Sequence, residues 1–390
     1  MPNLRPVIAE LPASKIREVA NAAMARSDVL AFWFGESDET TPPAIREAAV
    51  RSIEDGETFY SHNLGLPELR EAIAGYVSSL HPGVGSDRIA VTSSGVSALM
   101  LAMQALVGAG DEVVAVVPVW PNLTAQPAIL GARVTRVPLH FSSEGEWRLD
   151  IAELRRAVTA RTRVLLVNSP NNPTGWTLRR GEQELLLEHC RSTGTWIVAD
   201  EVYERIFFAA NGSGAACAPS FLDIADPDER LIVAHSFSKS FLMTGWRLGW
   251  LVVPPGTAAE LAKLIEFNTS CAPVFVQRAG LAALAQAESF VPGLVERLRG
   301  CRDTLVPRLR AIPGVQCAMP LGGLYAFFRV PGSADSLAFA KRLVEGAGVG
   351  IAPGAAFGAE GEGWLRWCFA SREPARLVDG VTRLAAFLAL

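Results

Sequence analysis

Residues 231–250 read Leu-Ile-Val-Ala-His-Ser-Phe-Ser-Lys-Ser-Phe-Leu-Met-Thr-Gly-Trp-Arg-Leu-Gly-Trp. The first four form an apolar run of strand character, and the polar residues after them leave the end of that strand. The pattern repeats outward in both directions. Similar β-rich runs occur at 89–92, 112–117, 133–138, 163–167, 195–199 and 248–253, and helical stretches at 96–107, 123–130, 151–158 and 179–191 fill most of the gaps. This alternation predicts an α/β fold with a mainly parallel central sheet flanked by helices. In such sheets ligands sit beyond the carboxyl ends of the strands.

Further out the texture changes. Residues 14–26 suit a short helical arm, 35–43 a loop, and 43–54 and 67–79 helices, the first opened by a proline. Beyond Pro254 come helical stretches at 257–268 and 274–310, the second expected to break near 290–293. Strands at 315–318, 324–330, 349–352 and 364–370 and helices at 336–345 and 373–388 then suggest a smaller α+β unit. The expected division is an N-terminal arm joining the small domain over 1–40, a large domain over 41–290, and a small C-terminal domain over 291–390. A chain of 390 residues is long enough for two such units.

Composition narrows the class of function. A net charge of −4 gives no basic footprint for nucleic acid and no polybasic membrane anchor. The apolar runs are too short to span a bilayer, and the first residues lack the apolar core of a signal peptide. Six scattered cysteines without a CxxC pair fit free thiols in a cytoplasmic protein, and five histidines without ligand spacing argue against a metal.

Four polar segments fall at the ends of predicted strands. Lys239 lies between Ser238 and Ser240, with Ser236 and Arg247 near it in sequence. Taken alone it could be an ordinary surface lysine, but Ser236, Ser238 and Arg247 offer donors and charge suited to a phosphate. Asp200 closes the run Thr-Trp-Ile-Val-Ala and precedes Glu201 and Tyr203. It could cap a helix, or it could pair with a cationic ring nitrogen. Asn168-Ser-Pro-Asn-Asn-Pro-Thr-Gly175 is a turn rich in proline that would present Asn172 rigidly. Ser93-Ser-Gly-Val-Ser97 opens a helix whose free N–H groups can face an anion.

Together these segments resemble the class I and II aminotransferases, the fold-type I enzymes dependent on pyridoxal 5′-phosphate and related to aspartate aminotransferase. The resemblance runs from about Val29 to the end, with the motifs in the family's order and spacing. It implies Lys239 as the Schiff-base residue, with Arg247, Ser236 and Ser238 at the phosphate. It also implies Asp200 at the pyridine nitrogen, Tyr203 and Asn172 at the cofactor's phenolic oxygen, and Ser94, Gly95 and Val96 giving backbone N–H groups to the phosphate. Trp120 would stack on the ring and Tyr60 would reach the phosphate in a neighbouring subunit, making the protein a homodimer with shared sites. Arg366 would grip the substrate α-carboxylate, approached also by the backbone of Gly35. The implied activity is ping-pong transfer of an amino group from an L-amino acid to a 2-oxo acid. A C–S β-lyase or synthase on the same fold is the alternative. A regulator that senses the cofactor is disfavoured, because the stretch before Val29 is too short for a winged helix and has no basic face.

Three positions depart from the family pattern. Cys368 stands where many members have serine, Ser37 where proline is frequent, and Val96 where some relatives carry a basic or hydroxyl residue. Phe32, Trp33 and Phe34 lead into Gly35 and suit either a core strand or an apolar pocket wall, which admits an apolar or aromatic amino donor.

Overall fold

The computed structural model describes residues 4–208 and 217–389. The first three residues of the expected N-terminal arm and the last residue of the C-terminal domain therefore lie outside the described residues.

A sheet of eight strands forms the centre. Its order is Ile89–Thr92, Gly249–Val252, Leu231–Ser236, Trp196–Asp200, Thr162–Asn168, Glu112–Val117, Arg133–Phe141 and Trp147–Leu149. The five strands from 231–236 to 133–141 run parallel to their neighbours. The 249–252 strand is antiparallel to both its neighbours, and 147–149 pairs antiparallel at the other edge. Strands such as Val164-Leu-Leu-Val167 are apolar on both faces because helices cover both sides. One core joins Val233, Leu165 and Val114 to the helices Pro43–Glu54, Pro67–Leu80 and Val274–Ala285. The opposite core joins Ile232, Leu166 and Val113 to the helices Gly95–Leu106 and Thr257–Glu266.

A second, smaller sheet has the order Gln316–Cys317, Tyr325–Arg329, Leu365–Cys368, Ala352–Pro353, all antiparallel. The helices Ala287–Arg310, Ser336–Ala347 and Pro374–Leu388 pack around it, with Trp367, Phe328 and Phe339 in its core. Leu30–Ala31 pairs in parallel with Val349–Gly350, which fastens the N-terminal segment to this unit. Phe32 packs against Trp367 with ring centroids 4.6 Å apart, and Phe32 and Trp33 are buried core residues while Phe34 is half-buried.

The structure corrects several details. The helix break falls at Gln286, between Val274–Ala285 and Ala287–Arg310, and not near 290–293. Pro292 lies inside the second helix, where the buried neighbours Val291 and Leu294 hold the chain despite the missing N–H bond. The run 349–352 is two strands, one pairing with Leu30–Ala31 and the other with the small sheet.

Candidate active site

The polar segments converge at the carboxyl ends of the parallel strands. The strand 231–236 passes directly into the one-turn helix Phe237–Ser240, which carries Lys239. The Ser236 hydroxyl accepts the Ser238 N–H at 3.1 Å and caps this turn. Lys239 Nζ donates to the Gly35 carbonyl at 2.7 Å and lies 5.7 Å from the centre of the Tyr203 ring. Burial lowers the amine to about 8, with the nearby Arg366 guanidinium acting in the same direction.

The expected phosphate-binding segments meet by close approach of backbones. Ser94 holds a positive φ of 120° and caps the helix Gly95–Leu106 by accepting the Ser97 N–H, so the first N–H groups of Gly95 and Val96 have no acceptor within the helix. A Cβ on Gly95 would lie 3.1 Å from Ser236 Cβ, and one on Gly249 would lie 2.6 Å from the Gly95 nitrogen. Gly249 is therefore required for this strand and helix end to meet, and Gly95 leaves only tight room beside Ser236. Arg247, itself at φ 57°, donates to the Thr244 carbonyl at 2.6 Å and approaches the Ser238 hydroxyl at 3.5 Å. Two serines, a guanidinium and a helix N-terminus in one place have the donors and charge that suit an anion.

Asp200 ends the neighbouring strand. Its carboxylate accepts only a long bond, 3.4 Å, from the Val202 N–H, and burial raises it to about 7. A buried acid so poorly supplied with donors needs a cationic partner to ionise. The turn after it is clamped from behind. Glu204 faces His81 at 3.1 Å and His235 at 3.4 Å, His81 also pairs with Asp223 at 2.5 Å, and Glu201 accepts from the Ser220 hydroxyl and the Phe221 N–H. Burial works against a charged His81, but its hydrogen bonds to Asp223 and Glu204 outweigh it and raise the imidazole to about 10. Glu201, Glu204 and His235 also bring ligand atoms within 4.8 Å of one another, a grouping that the spacing of the histidines did not reveal. Each of their carboxylate oxygens already faces a donor, so we read the group as an ion cluster holding the Asp200–Glu204 turn.

Asn172 is fixed by its N–H donating to Asn168 Oδ1 at 2.7 Å, while its carbonyl accepts the Trp120 N–H at 2.9 Å. These bonds hold the Trp120 loop against the Asn172 turn. Arg366 lies on an inner strand of the small sheet and reaches across to this group. It donates to Asn172 Oδ1 at 3.0 Å and to the Trp33 carbonyl, and its Nε, though buried, has no partner among the described residues. Its guanidinium lies 4.4 Å from the Tyr325 ring centre and 4.9 Å from that of Phe357. An unpaired N–H on a buried, stacked guanidinium fits a carboxylate.

A chain of contacts links Gly35, Lys239, Tyr203, Tyr325, Arg366, Asn172 and Trp120, Asp200 lies near enough to Lys239 to feel its charge, and Ser236 meets Ser238, Arg247 and the Gly95 helix start beside them. Tyr60 is 90 % exposed and does not join them within its own chain. Cys368 Sγ approaches the Glu36 carbonyl at 3.5 Å, and Ser37 lines the pocket beside Lys239. Sequence reasoning missed Tyr325. Its hydroxyl bonds that of Tyr203 at 2.7 Å, and a Cβ on Gly35 would fall 2.0 Å from it.

The aminotransferase class I and II family model matches residues 28–384. This chain belongs to that family. It is 33% identical over 375 residues to an aspartate aminotransferase of Pyrococcus horikoshii, covering 95% of this chain and 93% of the relative. It is 31% identical to aromatic-amino-acid aminotransferase 2 of Thermococcus litoralis, covering 92% and 91%. The crystal structure of an aspartate aminotransferase from Thermotoga maritima superposes with a TM-score of 0.90 at 32% identity, covering 99% of this chain and all of that one. The protein is accordingly a pyridoxal-phosphate-dependent aminotransferase acting on an amino acid and a 2-oxo acid. The under-supplied Asp200 carboxylate, the glycine-lined anion cradle and the buried amine of Lys239 fit that cofactor's ring nitrogen, phosphate and aldehyde.

Proposed function

We propose that Lys239 and Asp200 are the two poles of the aminotransferase site, and that an amino acid with a neutral, apolar or aromatic side chain is its donor. The observation that carries the first part is the pair of opposed burial effects, an amine lowered to about 8 and an acid raised to about 7, the two close enough for the amine's charge to act on the acid. Pyridoxal phosphate bound here supplies an aldehyde to hold the amino group and a cationic ring to accept the electron pair of the Cα–H bond. Asp200 keeps the ring nitrogen protonated. Lys239, as a free amine near neutrality, takes the proton from the substrate Cα and returns it on the other side of the transfer. With the cofactor bound, Tyr203 and Asn172 would donate to its phenolic oxygen, Trp120 would cover its ring, and Ser94, Gly95, Val96, Ser236, Ser238 and Arg247 would hold its phosphate. Arg366, steadied by Asn172 and Trp33, orients the substrate α-carboxylate beside Gly35.

The donor is read from the pocket beside Lys239. Its walls include Leu242, Leu294, Leu298, Leu324 and Ala370, and of its two acidic residues Glu39 is matched by Arg297 at 3.0 Å and Glu36 accepts the Thr244 hydroxyl at 2.8 Å. Lys239 is the only basic residue among the described residues that line it, so this chain offers a second substrate carboxylate no partner there. We further propose a cytoplasmic homodimer, with 41–290 as the cofactor domain and with 1–40 and 291–390 forming the small domain. The six unpaired cysteines and the exposed Tyr60 support that reading. Among the described residues no helix is long and apolar enough to cross a membrane.

A panel of amino acids against pyruvate and 2-oxoglutarate, with product keto acids quantified, tests the assignment. Leucine, methionine and phenylalanine are expected to outpace aspartate. Faster turnover of aspartate contradicts the donor reading, and release of ammonia and pyruvate from cystathionine without keto-acid exchange contradicts transfer.

A further inference from the structure

We infer that Tyr325 is a positioning residue that sets the hydrogen-bonding direction of Tyr203 and ties it to the carboxylate-binding arginine. The inference rests on the reading of Tyr203 as a donor to the cofactor.

Tyr325 opens a strand of the small sheet, opposite Cys368 and two residues from the partner of Arg366. Three contacts meet on its buried side chain. The hydroxyl bonds the Tyr203 hydroxyl at 2.7 Å, the ring carries the Arg366 guanidinium at 4.4 Å, and the hydroxyl fills the space that a side chain at Gly35 would need. Gly35 in turn gives its carbonyl to Lys239. One residue of the small sheet thus touches the phenol on the large sheet, the substrate-carboxylate arginine and the loop that receives the catalytic amine.

A hydroxyl carries one proton. Between two phenols alone, that proton can run either way. When Tyr203 faces an anionic oxygen it must spend its proton outward, and its own oxygen is then left to accept. Tyr325 is the group placed to donate to it. A hydrogen bond accepted by a phenol makes it a stronger donor, because the two bonds polarise each other. Tyr325 therefore strengthens the bond from Tyr203 to the cofactor's phenolic oxygen without touching the cofactor. That bond draws electron density from the oxygen that otherwise supports the proton on the imine nitrogen, so it lowers the pH at which the bound chromophore titrates. Tyr325→Phe deletes this support but leaves the ring under Arg366.

The test is a pH titration of the visible absorbance of the cofactor-loaded protein, for wild type, Tyr325→Phe, Tyr203→Phe and the double variant, with kcat and KM measured alongside. Tyr325→Phe is expected to raise the chromophore's midpoint by roughly half a unit and to lower kcat roughly three- to tenfold, the effect of one neutral hydrogen bond. KM for the amino donor stays within about twofold, because the stacked ring is retained. Tyr203→Phe gives a larger rise, and adding Tyr325→Phe to it gives no further shift. A midpoint unmoved in Tyr325→Phe but raised in Tyr203→Phe overturns this inference alone. A midpoint unmoved in both overturns the reading of Tyr203 beneath it. Additive shifts in the double variant also overturn it, since they show Tyr325 acting independently of Tyr203.

Discussion

Asp200 and Lys239 show how function can oppose stability at the level of a residue. Burial raises Asp200 from 3.8 to about 7, so the folded, cofactor-free protein holds a proton there that the unfolded chain has lost. Stability from this group is complete below pH 3.8 and falls as pH rises through 7. Asp200→Asn removes that penalty. The cofactor-free variant is expected to be more stable than the wild type by on the order of 4 kcal/mol at pH 8, with the advantage growing from pH 5 to 7 and level above. Urea melts across that range measure it, and an advantage that is constant or shrinking with pH contradicts the assignment. The same variant should lose nearly all turnover. The sequence could locate this acid, because a carboxylate closing an apolar strand is conspicuous. It could not locate Tyr325, which sits in the apolar run 324–330 and reads as core until the fold brings it to Tyr203.

At the level of elements, the site depends on how closely strand ends meet a helix start. The 249–252 strand comes against the N-terminus of the helix 95–106 only because Gly249 has no side chain, and the atoms it would strike are backbone atoms that cannot rotate aside. Gly249→Ala is expected to cost about 1–3 kcal/mol of stability and to weaken pyridoxal phosphate binding more than tenfold by spoiling the anion cradle. Denaturant melts and cofactor titration check both, and unchanged affinity argues against the cradle at Gly95. The long strands were legible to within a few residues because four or more apolar residues in succession leave a clear period. Leu30–Ala31 and Trp147–Leu149 were not, since two or three residues cannot express alternation and their pairing partners are set by tertiary contact. The helix break falls at Gln286 and not at the expected 290–293, because packing keeps Pro292 and Gly293 inside a helix.

For the whole molecule, the catalytic group is assembled from both sheets and, on our proposal, from two chains. Lys239 and Asp200 come from the large sheet, Arg366 and Tyr325 from the small one, and Gly35 from the N-terminal segment that Leu30–Ala31 fastens to the small unit. Motif order along the chain made these residues candidates, but the distances between them could come only from the fold. Exposed Tyr60 has no role in its own site, so mixing Tyr60→Ala with Lys239→Ala subunits should restore activity in hybrid dimers, up to about a quarter of the wild-type value for random C2 pairing. No recovery on subunit exchange contradicts a shared site. The central claim is that the amine of residue 239 holds the cofactor. Borohydride reduction of the protein incubated with pyridoxal phosphate, followed by peptide mass mapping, addresses it directly. The expected result is a single stoichiometric pyridoxyl adduct on the peptide containing Lys239. An adduct at another lysine, or none at a stoichiometry near one per chain, contradicts it.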